Sequence, residues 1–229
     1  MTEKKITRLF HQACAEYNLL ADGDRVLVAV SGGKDSLELV RLMARQSRIL
    51  KPRIEVAAAH VIMDNIPYET DRTYLTDFCH EEGIELHILH SSFDESTDRR
   101  KTKCFLCSWN RRKTLFRFAS DNGYNKVALG HHMDDFLVTL LMNQTFEGTH
   151  STMKPLMEMR HYPISVIRPL CLVHESMVRE VADKCGFQRQ KVACPYETVT
   201  QRARMTEVFH ELEDINPEAR YCLWRSITN

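Results

Sequence analysis

Three stretches of the 229-residue chain place reactive side chains at spacings that suit chemistry. The first is Ser31-Gly32-Gly33-Lys34-Asp35-Ser36. It follows the apolar run Val26-Leu27-Val28-Ala29-Val30 and opens a segment with helical periodicity at Leu37, Val40, Leu42 and Met43. Strand, small-residue turn and helix together make an anion cradle, because the turn's N–H groups and the helix N-terminus point the same way. The two glycines let the backbone approach phosphates with no Cβ between them. Ser31 and Ser36 add hydroxyl donors, and Lys34 adds a point charge. A Walker A loop needs Gly-x-x-x-x-Gly-Lys-Ser/Thr. Adjacent glycines, with Asp35 between the lysine and the serine, exclude it. The plain alternative is a glycine turn that only joins strand to helix.

The second stretch is Gly130-His131-His132-Met133-Asp134-Asp135. It offers a glycine for close approach and two carboxylates. Carboxylates beside phosphates repel them unless a divalent cation lies between, and Mg²⁺ commonly bridges the two. Asp35, Asp134 and Asp135 are therefore candidates to hold Mg²⁺ directly or through water. The competing reading makes one of the aspartates the N-cap of the helix that runs on from Phe136. His131 and His132 are metal ligands or, more commonly for such a pair, hydrogen-bonding structural elements.

The third stretch, Cys104-Phe105-Leu106-Cys107, opens a predicted helix, where the helix dipole favours thiolates. One Cys-x-x-Cys suits zinc, a redox pair or a cluster. Around it lie Arg99, Arg100, Lys101, Lys103, Arg111, Arg112, Lys113 and Arg117, with no acid between Arg99 and Ser120. Such an excess can stabilise thiolates, phosphates or both, which makes these eight residues candidates to bind a phosphate-bearing partner. The alternative is a solvated basic helix face. Cys14, Cys79, Cys171, Cys185 and Cys222 sit in apolar or helical surroundings and read as core thiols. Cys194 precedes Pro195 in a predicted loop near Arg189, Lys191, Arg202 and Arg204. Cys104, Cys107 and Cys194 are taken as a three-thiolate site. Three protein ligands leave one position open, which suits chemistry at a metal, and an iron–sulfur cluster with one unligated iron fits.

The elements that must hold these stretches alternate. Predicted helices cover 3–20, the segment from the glycine turn to 48, 69–82, 105–122, 136–142, 175–185 and 199–213, with a short one after Pro217. Predicted strands cover 25–30, 54–62, 84–89, 126–130 and 166–170, and 91–103 and 147–161 read as loops. Strands alternating with helices imply an α/β fold with a doubly wound, mostly parallel five-stranded sheet. Such sheets bind ligands at the carboxyl ends of their strands, where the strand order reverses. In the order 3-2-1-4-5 the turns after strands one and four meet there.

Length supports one domain over residues 1–229, with a short helical C-terminal extension from about 195. Hydrophobic residues make up 43% and charged residues 27%, ordinary for a globular chain. The formal net charge is zero, so any nucleic-acid site must come from local clustering. No stretch has signal-peptide or membrane-helix character. Eight cysteines in such a chain read as thiols or metal ligands in a cytoplasmic protein, not disulfides.

Ser31–Ser36 resembles the PP-loop of ATP pyrophosphatases, which cleave ATP between the α- and β-phosphates and leave AMP on a substrate oxygen. With it, Cys104-Phe105-Leu106-Cys107-Ser108-Trp109-Asn110-Arg111-Arg112, Ala128–Asp135 and Ile167-Arg168-Pro169-Leu170 occur in the order of the tRNA 2-thiocytidine synthetases (TtcA). The resemblance covers roughly residues 20–200. Lysidine synthetases share the first motif and lack the cysteine set. The resemblance implies ATP and Mg²⁺ at the loop, with Ser31, Gly32, Gly33, Lys34, Asp35, Ser36, His60, Ile62, Gly130 and Asp134 on the nucleotide. Lys34, Asp35 and Asp135 are the implied catalytic residues. It further implies a [4Fe-4S] cluster on Cys104, Cys107 and Cys194, a cytidine of the tRNA anticodon loop as substrate, and a sulfur donor such as a cysteine desulfurase or inorganic sulfide. A homodimer is compatible with it, and no membrane partner is expected. The chain departs from the family at Glu197, which stands where a second C-terminal cysteine is usual. Ligation by Cys194 survives this change. The competing readings are a sulfurtransferase for another tRNA position or a small molecule, an amide-forming PP-loop ligase, and a non-enzymatic zinc-stabilised nucleotide-binding protein.

Overall fold

Val26, Leu27 and Val28 are wholly buried in strand β1 (Arg25–Ala29), with side chains alternating between the two faces of a central sheet. The computed structural model describes residues 1–66, 70–94, 102–188 and 201–228. Strand β2 (Glu55–Met63) pairs parallel to β1 on one side, and β3 (Leu86–Ser91) pairs parallel to β2 beyond it. On the other side of β1 come β4 (Lys126–Ala128), β6 (Ser165–Ile167) and β5 (Leu156–Glu158). The order is β3-β2-β1-β4-β6-β5, parallel throughout except for the β5–β6 pair. The sheet thus has six strands among the described residues, not five. The additional strand is the antiparallel edge β5, inside the segment read as a loop. Three residues are too few to display a period, and the strand exists through its hairpin with β6.

One face of the sheet is covered by helix α4 (Lys103–Asp121), through Leu115, Phe116 and Ala119. The larger core on the opposite face joins α1 (Thr2–Glu16), α2 (Lys34–Ser47), α3 (Arg72–Glu81), α5 (Met133–Met142) and α6 (Glu175–Cys185). Two C-terminal helices close this side. Helix α7 (Gln201–Ile215) buries Met205 and Phe209, and α8 (Ala219–Thr228) buries Trp224 against Phe136. No described helix is long and apolar enough to cross a membrane.

Two elements start differently from their predicted bounds. Helix α3 begins at Arg72, because Asp71 caps it by accepting the Tyr74 N–H at 2.9 Å; residues 67–69 lie outside the described set. Helix α5 begins three residues before Phe136, with His132 as N-cap. Asp134 and Asp135 therefore sit inside its first turn.

Strands β1 and β4 are neighbours at the reversal of strand order, with Val26 opposite Lys126 and Val28 opposite Ala128. Their register is pinned from below. Lys126 Nζ reaches Asp24 at 2.6 Å and donates to the Leu19 carbonyl at 2.8 Å, and Asn125 donates to Asp24 at 2.7 Å.

A buried ion pair ties the C-terminal helices to this frame. Arg220 of α8 meets Asp134 of α5 at 2.8 Å, and both are nearly inaccessible. Removing one partner of such a pair strands the other charge and costs about 3–5 kcal/mol. Arg220→Met is expected to lose that much in urea unfolding at neutral pH. Asp134 holds its pKa well below the ordinary carboxylate range: burial opposes ionisation, but His132, 3.5 Å away, and the Arg220 charge outweigh it. A depressed carboxylate stabilises the fold above about pH 4 and loses that contribution as pH falls toward the lowered folded value. The gap between wild type and Arg220→Met is therefore expected to narrow as the unfolding series is carried below pH 4.

Candidate active site

The loop between β1 and α2 is held open by its own side chains. Gly32 has φ +91°, in the left-handed region that a side chain would penalise. Ser36 Oγ donates to the Gly33 carbonyl at 2.8 Å, and Ser31 N–H donates to Ser36 Oγ at 3.2 Å. The Gly33 N–H reaches Ser31 Oγ at 3.3 Å. Gly33 is the N-cap of α2, so the positive end of a 14-residue helix opens at this loop.

The β4–α5 turn lies directly on that loop. A Cβ on Gly130 would stand 3.0 Å from the Asp35 carbonyl group and 3.1 Å from the Ser36 nitrogen. The two motifs are thus in backbone contact. Ser31, Asp35, Ser36, Gly130, His131 and Asp135 line one cavity of about 360 Å³. Ala29, Val30, Ala59, Val61 and Leu129 give it an apolar floor, and His60 also faces it. Arg111, Arg112 and Leu115 of α4 form the facing wall. On the other side of the loop, Gly32, Gly33, Lys34 and Asp35 line a second cavity of about 320 Å³ with Glu175 and Arg179 of α6.

The charges are paired in a way that limits their roles. Lys34 Nζ lies 2.8 Å from Glu175 and 3.1 Å from Asp35. Burial works against its charge, but the Glu175 hydrogen bond and the two carboxylates outweigh it and hold its pKa above the ordinary lysine value. Asp35 Oδ2 takes the lysine, while Oδ1 is buried with no hydrogen-bond partner and lies 3.8 Å from His132 Nε2. A buried carboxylate oxygen without a donor suits a divalent cation. Asp135 accepts the His132 N–H at 3.0 Å through Oδ2 and meets Arg202 at 2.6 Å through Oδ1. It caps α5 and also faces the cavity.

Asp134 is placed differently. Its Oδ1 is on Arg220 at 2.8 Å and its Oδ2 accepts the Glu175 N–H at 2.9 Å. Both oxygens serve the fold, and the residue is not in the cavity wall. Ile62 also stands apart: it lines a neighbouring cavity with Asp64, Arg72 and His90, and Val61 lines the cavity beside Gly130.

The histidines are shifted in different directions. His60 Nδ1 donates to the Val30 carbonyl at 2.7 Å, and burial lowers its pKa. His131 accepts from Arg168 Nε at 3.3 Å, and burial with Arg168 and Arg202 nearby takes its pKa down to about 4, so it is neutral at physiological pH. For His132 burial works against protonation, but Asp134, 3.5 Å from Nδ1, and the Asp135 and Asp35 charges raise its pKa.

Cys104 and Cys107 share the first turns of α4, the former exposed and the latter half-buried. Cys194, Arg99, Arg100 and Lys101 lie outside the described residues. Among the described residues no three metal-ligating side chains converge. The two thiols stand at i and i+3 on one helix end. Lys103, Arg111, Arg112, Lys113 and Arg117 all lie on α4; Arg111 and Arg112 face the cavity, and Arg117 pairs with Asp121 at 3.5 Å.

Glu175 and Arg179 line the second cavity, and Arg220 pairs with Asp134 behind the site, without having been flagged by the sequence. Glu175 follows the pattern of an acidic first helical turn, which says nothing of what it faces. Arg220 lies 85 residues beyond Asp135, in a helix with no motif of its own.

A glycine turn at the N-terminus of α2, at the switch point of a parallel sheet and facing acidic residues, defines a PP-loop ATP-binding domain. The family model described as a PP-loop domain matches residues 1–205. A tRNA-cytidine(32) 2-sulfurtransferase of Geobacter metallireducens is 34% identical over 99% of this chain and 90% of its own length. Its counterpart in Pseudomonas syringae pv. tomato is 32% identical over 99% of this chain and 84% of its own length. The U34-tRNA thiolase NcsA of Methanococcus maripaludis, solved with its [4Fe-4S] cluster, superposes with a TM-score of 0.80 at 25% identity, covering 98% of this chain and 76% of that one. This chain belongs to the PP-loop family and, within it, to the tRNA-cytidine(32) 2-sulfurtransferases, the 2-thiocytidine synthetases.

The contact between the two motifs is testable. Gly130→Ala forces a methyl group onto the Asp35–Ser36 peptide, an overpacking worth about 1–3 kcal/mol. A lowered melting temperature together with weaker ATP binding by calorimetry is expected, whereas Gly148→Ala, at a position with open space around it, should leave ATP binding unchanged.

Proposed function

We propose that the chain binds ATP with its nucleoside in the cavity beside Gly130 and its phosphates over the Gly32–Lys34 turn, and transfers sulfur to a tRNA cytidine. The apolar floor suits a base, and the helix N-terminus, Lys34 and Arg179 suit a triphosphate. One observation carries the reading: the helix that bears Cys104 and Cys107 also supplies Arg111 and Arg112 to the wall of the PP-loop cavity. ATP chemistry and thiolate chemistry then share one crevice.

The chemistry follows from the leaving group. A ring carbonyl oxygen departs poorly. The cytidine oxygen attacks the α-phosphorus, the α–β bridging bond breaks, and pyrophosphate leaves. The ring carbon now carries AMP, which departs when sulfur attacks that carbon. Lys34 and the loop N–H groups stabilise charge on the departing pyrophosphate. Asp35, with its unpartnered oxygen, and Asp135 are the residues placed to hold Mg²⁺, whereas Asp134 acts by fixing α6 and α8. Mg²⁺ binding by Asp135 requires Arg202 to leave its carboxylate. Cys104 and Cys107, with Cys194, are the proposed ligands of a [4Fe-4S] cluster. When bound, such a cluster supplies an iron position without a protein ligand, open to a sulfur nucleophile. The anticodon loop is the proposed RNA target, met by the basic residues of α4.

Two measurements check this reading. Anaerobically purified protein is expected to carry near-stoichiometric iron and sulfide that both disappear in Cys104→Ala and in Cys194→Ala. Zinc alone, or iron that persists in both variants, overturns the cluster. Lys34→Ala is expected to lower tRNA-dependent pyrophosphate release by roughly 10²–10³, the usual loss for one donor to a developing anion.

A further inference from the structure

Trp109 and Phe105 are out of keeping with the rest of α4. The Trp109 side chain is 54% exposed and Phe105 is 42% exposed, while Leu115 and Phe116 of the same helix are 5% and 7% exposed. The chain's other tryptophan, Trp224, is 9% exposed in the core. Residues 105, 109 and 112 fall at i, i+4 and i+7, which places them on one stripe of the helix. The stripe begins beside Cys104 and ends at Arg112, in the wall of the nucleotide cavity.

The charges along the helix select the occupant of that stripe. Lys103, Arg111, Arg112, Lys113 and Arg117 share α4 with the two aromatic rings, and its only acid is Asp121, at its last position. An aromatic surface set among cations of one sign complements a polyanion that also offers flat apolar faces. A nucleic acid with unpaired bases is such a ligand, because every base has a π-face to stack. In a paired stem the faces are already stacked on one another, and only phosphates are presented.

We propose that Phe105 and Trp109 form a stacking platform for unpaired nucleobases beside the reacting base, with Arg112 and Lys113 on the flanking phosphates. The proposal rests on the reading that the substrate is an RNA loop, and it adds a base-stacking site distinct from the basic contacts. It also gives the helix that carries the cysteine pair a way to register the loop before chemistry.

The test uses the full chain and two labelled RNAs: an unmodified anticodon stem-loop, and a fully paired duplex of equal length. Wild type is expected to prefer the stem-loop, with quenching of tryptophan fluorescence on binding. Trp109→Ala and Trp109→Leu should each weaken stem-loop binding by roughly 5- to 100-fold, the range for a lost base–aromatic stack. They should lose the quench and leave duplex affinity as it was. Trp109→Phe should retain most of the preference. Arg112→Ala should weaken both RNAs and reduce the salt slope by about 0.7 to 0.9 for the lost phosphate contact. Stem-loop affinity of Trp109→Leu equal to wild type overturns the platform, and a ring that serves a protein partner or the fold would give that result. Wild type that binds neither RNA overturns the RNA reading beneath it.

Discussion

A single close approach organises the molecule. The backbone at Gly130 rests on the Asp35–Ser36 peptide at the distance where a methyl group would already crowd it. Because β1 and β4 are adjacent and their register is pinned by Lys126 and Asp24, the turns that follow them emerge side by side. The cavity beside Gly130 is the space left where those turns meet. Its acidic groups, Asp35 and Asp135, come from those two turns, and its basic groups, Arg111 and Arg112, from α4.

The electrostatic balance of that crevice comes from distant parts of the sequence. Asp134 and Asp135 are neighbours in α5, yet one is satisfied by α8 and the α6 N-terminus and the other by α7. Two adjacent carboxylates therefore have different freedoms. Asp134 is enclosed and paired with a buried guanidinium, which suits scaffolding. Asp135 faces the cavity and pairs with the half-buried Arg202. Lys34 shows the same provisional pairing, held by Glu175 and Asp35 in a position that a phosphate could claim.

Much of this was legible from local pattern. Strand–turn–helix around Ser31–Ser36, the glycine ahead of the two aspartates, and the alternation of strands and helices all carry short-range signals, and the parallel order of the core strands followed from them. The edge strand β5 had no such signal, since Leu156–Glu158 is extended only because β6 lies alongside. The separate duties of Asp134 and Asp135 were illegible for another reason. They depend on Arg202 and Arg220, whose spacing from the aspartates is a property of tertiary packing alone. The same holds for Ile62, where a one-residue step along β2 decides which cavity a side chain enters.

The late position of Arg220 has a consequence for how the protein is made. During vectorial synthesis the ribosome releases the glycine loop, the cysteine helix and the paired aspartates well before α8 emerges. Until then Asp134 has no guanidinium to accompany it into the interior, and burying it alone is unfavourable. A chain stalled short of α8 therefore carries the glycine loop and both aspartates while Asp134 still lacks its charge partner.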